Sequence, residues 1–291
     1  MSSPNHGLFI IGHGTKSNVG IEQFCNLVNQ VAEKTSLPTG YGFIELAPPE
    51  ISTGLKSLVS RHHLDKVTVV PLLLLAAGHV KNDIPAALAD ARATYPDIRF
   101  DCTRDISITT QLLEIIEQRT LEPFAHTGLF QPKHVVLVGR GSTDPDANSD
   151  LYKIARLLTE RGKIGEVHPA FVSLALPSVT DTLERLCKLG ATQIGVAPYF
   201  LFAGALLERI YTESRAWHLN HPEIDLALAA EMGPDPRIAD LLISKVFTPD
   251  NQMMNCDMCV YRHPFPGHEH RVSLAIQDRI SSKSIPGPDS P

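Results

Sequence analysis

Cysteine, positive charge and long apolar segments are all scarce in this chain. The 5 cysteines among 291 residues are odd in number and scattered, which is atypical of the disulfide frameworks of secreted domains. The longest apolar run, at residues 67–77, is shorter than the ~20 residues that a membrane-spanning helix needs. The net charge of −6 does not suit a basic surface for nucleic acid. We therefore expect a cytoplasmic protein that binds neither nucleic acid nor a membrane.

An internal duplication organises the chain. Residues 8–15 (LFIIGHGT) resemble residues 135–142 (VVLVGRGS) at an offset of 127, and residues 42–49 (GFIELAPP) resemble residues 170–177 (AFVSLALP) at an offset of 128. Matches in one order at nearly one offset predict two similar halves of about 125 residues. The predicted divisions are a first domain at 1–121, a linker at 122–132, a second domain at 133–247 and a tail at 248–291.

Each half alternates short apolar segments with amphipathic ones. Near-continuous apolar strands between amphipathic helices are typical of a parallel sheet that is covered on both faces. The sequence therefore predicts an α/β fold with two tandem doubly wound parallel sheets. In the first half the predicted strands are 8–11, 42–47, 67–75 and 98–102, and the predicted helices are 21–34, 51–61, 83–93 and 109–119.

Three polar residues lie near or just after the ends of the first three predicted strands of the first half. They are His13, Glu45 and His79. With a strand order of 2-1-3-4, the ends of these strands meet at the edge where open α/β sheets bind ligands. Two imidazoles and a carboxylate can hold a divalent metal of the iron, cobalt, nickel or zinc group, and can also accept protons near neutral pH. The alternative is that each of the three is an ordinary turn or surface residue.

The second half keeps the glycines of the first turn and loses every candidate ligand. Arg140, Ser173 and Ala205 stand where the first half has His13, Glu45 and His79. A requirement of the fold would be kept in both halves, so this difference favours one working site in a duplicated protein. A dinucleotide fingerprint fits poorly because Ser17 occupies the position of its third glycine. A histidine phosphatase fits poorly as well, because that family has an arginine where Gly12 stands.

The motifs resemble those of the sirohydrochlorin chelatases, which are class II chelatases, in their long two-repeat form. The resemblance rests on GHGT at 12–15, on FIELAPP at 43–49 and above all on VPLLLLAAGHVKNDIP at 70–85. It implies ATP-independent insertion of Co²⁺ or Fe²⁺ into the tetrapyrrole sirohydrochlorin, with cobalt favoured, in cobalamin or siroheme biosynthesis. It also implies that His13 and His79 bind the metal and that Glu45 is the acidic partner. A non-catalytic metal carrier is the alternative from another class.

Substrate binding is predicted at two further places. Sirohydrochlorin carries eight carboxylates, so a chain with a net charge of −6 needs cations at its cleft. Arg140 can grip a carboxylate through two parallel hydrogen bonds, and we expect it to bind substrate and not metal. Residues 199–202 (YFLF) could supply an aromatic wall of the cleft, although the pattern favours a core strand.

The tail contains a second metal-binding pattern. Residues 254–259 (MNCDMC) place Cys256 and Cys259 at the spacing that can direct two thiolates at one ion or cluster. In the long chelatases this segment is associated with an iron–sulfur centre. Four interpretations stay open, namely a [4Fe–4S] cluster, a zinc site, a metal-delivery segment and two exposed thiols. The sequence does not indicate an oligomeric state.

Overall fold

Two parallel β-sheets of four strands each, with helices packed around them, form the protein. The computed structural model describes residues 5–75, 77–125 and 132–247, apart from the side chains at positions 79 and 80. The strand order is β2-β1-β3-β4 in the first sheet and β6-β5-β7-β8 in the second, and every pairing is parallel. The predicted fold class and the predicted 2-1-3-4 order are therefore confirmed. None of the helices in these residues has the length and apolar character needed to cross a membrane.

Eight strands and eight helices alternate along the described residues. The first half contains β1 (His6–Gly12), α1 (Asn18–Thr35), β2 (Thr39–Phe43), α2 (Ile51–Arg61), β3 (Lys66–Pro71), α3 (Ile84–Thr94), β4 (Arg99–Cys102) and α4 (Thr110–Leu121). The second half contains β5 (His134–Gly139), α5 (Pro145–Arg161), β6 (Glu166–Phe171), α6 (Val179–Lys188), β7 (Gln193–Pro198), α7 (Ala205–Leu219), β8 (Asp225–Leu228) and α8 (Pro236–Phe247). A π-helical turn, His79–Asp83, leads into α3.

Two strands lie elsewhere than their sequence patterns indicate. The strand predicted at 42–47 is β2, which ends at Phe43, and the next residues form bends. The apolar stretch predicted as a strand to residue 75 leaves the sheet after Pro71. In both cases the apolar residues beyond the strand line a cavity instead of continuing the ladder. These residues are apolar because they line the cavity, and for this reason their sequence resembles that of a strand although they pair with no other strand of the described residues.

The last helix of each half packs against the other half. The helix α4 contacts β7 of the second sheet, while α8 contacts α1 and β3 of the first. One hydrophobic cluster consequently includes Leu8 and Ile10 of the first half together with Leu137 and Leu242 of the second. The two halves thus share a core. The division of the chain at residues 122–132 stays a prediction.

Candidate metal and substrate site

A cavity of about 970 Å³ opens where the carboxyl ends of both sheets face each other. Both halves contribute to its walls, and the turns after β1 and β5 lie at its edge. The loops that carry polar residues at this edge follow buried strands, so the sheets fix where those residues can lie. The cavity therefore contains the site that the sequence indicates, together with its counterpart in the second half.

Backbone hydrogen bonds beyond the end of β2 bring His13 and Glu45 together. The amide of Glu45 donates to the carbonyl of His13 at 3.0 Å, so the two chains stay side by side past the strand ends. Gly14 makes this approach feasible. Its φ is +96°, and a Cβ at this position would lie 1.8 Å from the carbonyl oxygen of Glu45. The result is a separation of 3.4 Å between His13 Nε2 and Glu45 Oε1.

Two hydrogen bonds define the tautomer of His13. Its Nδ1 lies 3.2 Å from the carbonyl oxygen of Gly14, and its Nε2 lies 2.7 Å from Nη1 of Arg140. A carbonyl oxygen only accepts and a guanidinium only donates, so Nδ1 carries the proton and Nε2 offers its lone pair. This is the arrangement in which a histidine binds a metal through Nε2 while a carbonyl orients the ring through Nδ1.

The pair His13 and Glu45 fits a divalent metal ion. Metal–nitrogen bonds of about 2.0–2.1 Å and metal–oxygen bonds of about 2.0–2.2 Å place neighbouring tetrahedral ligands about 3.4 Å apart. The observed separation of Nε2 and Oε1 is 3.4 Å. About a quarter of the His13 side chain and two fifths of the Glu45 side chain are exposed. The two side chains therefore have the spacing of two ligands of one ion, and both are partly open to solvent.

His79 follows the third strand and begins the π-helical turn beside the cavity. Its side chain lies outside the described part of the structure. Cys256 and Cys259 also lie outside the described residues, as does the rest of the predicted tail. The expected ligand role of His79 and the four interpretations of the cysteine pair therefore stay predictions.

A buried ion pair that the sequence did not indicate holds the π-helical turn in place. Nζ of Lys81 lies 2.8 Å from Asp144 Oδ2 and 2.7 Å from Asp146 Oδ2, at the start of α5 in the second half. Lys81 is 3% exposed and Asp144 is fully buried. The two carboxylates raise the pKa of Lys81 against the opposing effect of burial. Sixty-three residues separate Lys81 from Asp144, and neither lies in a motif that marks the contact.

Apolar groups from both halves line the rest of the cavity. Leu46 and Leu174 occupy equivalent turns and have φ values of 65° and 56°, a region that leucine rarely adopts. Both are more than half exposed, and both face the cavity. Residues 199–202 follow the end of β7 and line it as well, so they form a wall and not the continuation of a strand. Such walls suit the face of a flat apolar ring.

A family model confirms the resemblance. The model named CbiX matches residues 7–122 and, separately, residues 134–248. The chain belongs to the CbiX family. A curated relative, the sirohydrochlorin cobaltochelatase of Priestia megaterium, is 34% identical to this CbiX-family chain over 260 residues, which cover 88% of this chain and 84% of that protein. The sirohydrochlorin ferrochelatase of Bacillus subtilis (strain 168) is 29% identical over 241 residues, which cover 82% of this chain and 90% of that protein.

Solved structures show the same architecture. SirB from Bacillus subtilis with Fe³⁺ matches with a TM-score of 0.73 and 29% identity, covering 84% of this chain and 94% of that one. SirB from Bacillus subtilis subspecies spizizenii, in complex with cobalt, matches with a TM-score of 0.70 and 27% identity, covering 86% and 98%. The CbiX-family fold, with two similar halves, is therefore confirmed by sequence and by structure.

Proposed function

We propose that this CbiX-family chain inserts a divalent metal ion into sirohydrochlorin. The observation that carries the proposal is the 3.4 Å separation of His13 Nε2 and Glu45 Oε1 at the edge of a cavity of about 970 Å³. Small-molecule pockets typically measure about 300–1,000 Å³, so this cavity suits a macrocycle. The relatives named for sirohydrochlorin chelation cover most of the chain, which supports the same substrate here.

Arg140 donates a hydrogen bond to the lone pair of His13 Nε2, which an incoming metal ion also requires. Because its Nη1 donates to His13 Nε2, a metal ion can bind this nitrogen only after the guanidinium has moved away. Arg140 is exposed, and its side chain can turn towards the solvent or into the cavity. We infer that the metal releases Arg140 from His13, and that the free guanidinium then binds a carboxylate of the tetrapyrrole through two hydrogen bonds.

Insertion also requires two pyrrole N–H protons to leave the macrocycle. Glu45 lies beside His13 Nε2, so its carboxylate can accept one of these protons while the metal moves from the imidazole to the ring nitrogens, and Nε2 can accept the other once the metal has left it. His13 keeps its Nδ1 proton throughout, because Nδ1–H donates a hydrogen bond to the carbonyl oxygen of Gly14. Its Nε2 becomes available again when the metal leaves. The protein in this mechanism supplies positioning and proton acceptance, and no step requires ATP.

Cobalt is the metal we favour, with iron as the alternative. The relative named for cobalt is 34% identical, against 29% for the one named for iron, and imidazole with carboxylate serves either ion. A [4Fe–4S] cluster at Cys256 and Cys259 and a cytoplasmic location stay predictions. The carrier alternative differs from the enzyme in one respect, since a carrier has no use for an apolar cavity beside its ligands.

Replacement of His13 tests the function directly. We expect His13→Ala to slow insertion by about 100-fold or more, because the metal loses a ligand beside the substrate. Sirohydrochlorin is mixed with Co²⁺ or Fe²⁺, and loss of the metal-free absorbance band is followed. His6→Ala is the matched control, since His6 begins the strand that His13 follows, and it should keep the wild-type rate.

The outcomes separate the two functions. Wild-type protein that does not exceed the uncatalysed rate would support the carrier. A wild-type rate in His13→Ala would remove His13 from the site. The double variant His13→Ala/His79→Ala should be little worse than His13→Ala, because ligands that act as one unit are not additive.

A further inference from the structure

A second cluster of metal-ligating side chains lies in the second half, at the opposite end of the sheet from the cavity. It consists of His134, Glu166 and His168, whose ligand atoms all lie within 4.8 Å of one another. His134 begins β5, whereas Arg140, the neighbour of His13, follows its end. Six residues of extended chain at about 3.3 Å each place the cluster about 20 Å from the candidate active site. The two groups therefore cannot share an ion.

Strand register brings these three side chains together. His134 pairs directly with Glu166 on the neighbouring strand, and His168 lies two residues further along that strand. Side chains two residues apart on a strand point to the same face, and directly paired residues share a face. The same face carries Val136 and Ala170, which are fully buried. On this face of the sheet, the residues further along the two strands are apolar, whereas the three near the strand starts all have side chains that can ligate a metal.

The distances fit a metal site with three protein ligands. Nδ1 of His134 and Nε2 of His168 lie 3.3 Å apart, which is close to the ~3.4 Å expected between two tetrahedral ligands of zinc or cobalt. Oε2 of Glu166 lies 4.0 Å from the former nitrogen and 3.8 Å from the latter. Its side chain is 64% exposed, so a small rotation can bring the carboxylate to a shared ion.

Burial also suits a permanent ligand set. His168 is only 7% exposed and contacts the second imidazole, while the carboxylate is open to solvent. A site with three protein ligands leaves a coordination position for water on the exposed side. The negative charge of the Glu166 carboxylate offsets part of the charge of an ion bound here, whereas the positive charge of Arg185 nearby repels such an ion. The site is therefore partly enclosed and remains accessible to an ion.

The first half does not need this cluster for its fold. Gly139 and Phe171 pair in the second sheet as Gly12 and Phe43 do in the first. Counting back along the strands from these pairs gives the equivalents of the three ligands, which are Gly7, Pro38 and Gly40. None of them can ligate a metal. The same strands therefore pair without a His/Glu cluster, which makes a purely structural requirement for these three side chains improbable.

We propose that His134, Glu166 and His168 form a second binding site for a divalent metal ion of the cobalt-to-zinc group, separate from the site that acts on the tetrapyrrole. Imidazole and carboxylate ligands suit these ions. An ion here links β5 to β6 at the start of both strands. It thereby stabilises the folded chain by an amount that rises with the logarithm of the free ion concentration once that concentration exceeds the dissociation constant.

Zinc titration of the full-length chain tests the proposal. The chain is stripped of metal with a chelator and titrated with Zn²⁺ in competition with a chromophoric indicator. All variants carry Cys256→Ser, Cys259→Ser and His13→Asn, so that binding elsewhere is reduced equally. We expect His134→Asn to bind one Zn²⁺ fewer than this background. Glu166→Gln should bind the same ion about tenfold or more weakly, since even residues beside a metal ligand affect affinity by that much.

The control is His6→Asn. His6 lies at the same edge of the first sheet and its Nε2 is 2.8 Å from the hydroxyl of Thr68, outside any such cluster in the described residues. It should retain the background's zinc stoichiometry and its rise in melting temperature with Zn²⁺. Equal stoichiometry and affinity in His134→Asn and the background would overturn the proposal. If His134→Asn fails to fold, Glu166→Gln decides, because its side chain is exposed and unchanged zinc affinity there also overturns it.

Discussion

At the scale of single residues, one nitrogen atom connects the two halves of the molecule. His13 Nε2 faces Glu45 from its own half and Arg140 from the other, at 3.4 Å and 2.7 Å. His13 and Arg140 stand at equivalent turns of the duplicated sequence, so the repeat places a lone-pair donor and a cation opposite each other. The second half thus lost its histidine and gained a group that interacts with the surviving one.

Removing the Arg140 side chain should raise the affinity of the protein for Co²⁺ and lower its affinity for sirohydrochlorin. We expect Arg140→Ala to bind Co²⁺ about two- to tenfold more tightly without substrate, since loss of a competing hydrogen bond worth about 0.5–1.5 kcal/mol frees Nε2. The same variant should bind sirohydrochlorin more weakly by about 1.5–3 kcal/mol, the usual contribution of a hydrogen bond to a charged group. Calorimetric titration with Co²⁺ and absorbance titration with the tetrapyrrole measure the two affinities separately.

Arg140→Lys is the matched variant for this experiment. It keeps the charge and loses the paired donors, so it should recover only part of the tetrapyrrole affinity. Unchanged tetrapyrrole affinity in Arg140→Ala would remove Arg140 from substrate binding. Unchanged Co²⁺ affinity would show that the guanidinium does not compete with the metal.

Asp105 predicts a pH dependence of stability. It is 6% exposed, and burial raises its pKa to about 6 despite the opposing charges of Lys245 and Arg104. A carboxyl whose pKa is higher in the folded than in the unfolded protein stabilises the fold when protonated. Its contribution is complete below the unfolded pKa of about 4 and is lost as the pH rises through about 6.

Asp105→Asn should therefore stabilise the protein at high pH only. An amide keeps the shape and carries no charge, so we expect unfolding at pH 8 to cost on the order of 3 kcal/mol more than in the wild type. The difference should shrink towards zero as the pH falls to 4. Urea unfolding across this range measures it, with Asp97→Asn, at an exposed site, as the control. A difference that does not vary with pH would contradict the assignment.

At the scale of elements, the π-helical turn after β3 depends on the second half for its position. Lys81 in this turn lies between Asp144 and Asp146, at the start of α5. His79 begins the same turn, so the ion pair fixes the backbone that carries a predicted ligand. The position of this turn of the first half therefore depends on a contact that the second half supplies.

Lys81→Met tests this dependence. The variant leaves the fully buried carboxylate of Asp144 without its partner, and breaking a buried pair in this way costs about 3–5 kcal/mol. Lys188→Met is the matched control, because Lys188 pairs with Glu184 on an exposed helix surface, where such a pair contributes about 0–1 kcal/mol. We also expect Lys81→Met to lower the affinity for Co²⁺, which a role in stability alone would not change once the variant is folded. Similar losses of stability in the two variants would argue against the ion pair.

Strand order and the first two site residues could be predicted from sequence because both depend on local patterns. The apolar run that ends at Gly12 marks a strand end that His13 follows, and Glu45 lies near the end of the next predicted strand. The duplication places Arg140 opposite His13, whereas the contact of Lys81 with Asp144 could not be predicted, because it joins residues far apart in sequence whose types are common on any surface. The cluster of His134, Glu166 and His168 could not be predicted for the same reason, since its members come from two strands.

At the scale of the whole molecule, the terminal helix of each half packs against the other half, so the two halves share one core. An amphipathic helix pattern shows which face is buried and does not show which sheet buries it. The sequence therefore left open where α4 and α8 pack. The structure places α8 on α1 and β3, and α4 on β7, so each sheet is completed by a helix from the other half. Neither half can lose its packing without exposing apolar surface in the other.

Leu242 provides the corresponding test. It lies in α8, is fully buried and belongs to the hydrophobic cluster that includes residues of both halves. Leu242→Ala should lower the free energy of unfolding by about 2–5 kcal/mol, the usual cost of such a truncation in a core. Because the core is shared, calorimetry should show one transition, with calorimetric and van't Hoff enthalpies that agree.

Hydrogen exchange in the same variant locates the effect. The amides of β1, in the first sheet, should lose as much protection as those of β5, although Leu242 belongs to the second half of the sequence. Leu183→Ala is the matched control, since Leu183 is equally buried in a cluster formed by the second half alone. If the core is shared, Leu183→Ala should also lower protection in both sheets, because a loss of stability in one half then makes unfolding of the whole chain easier. Two separate transitions, or loss of protection confined to β5 and its neighbours in either variant, would mean that the halves unfold independently.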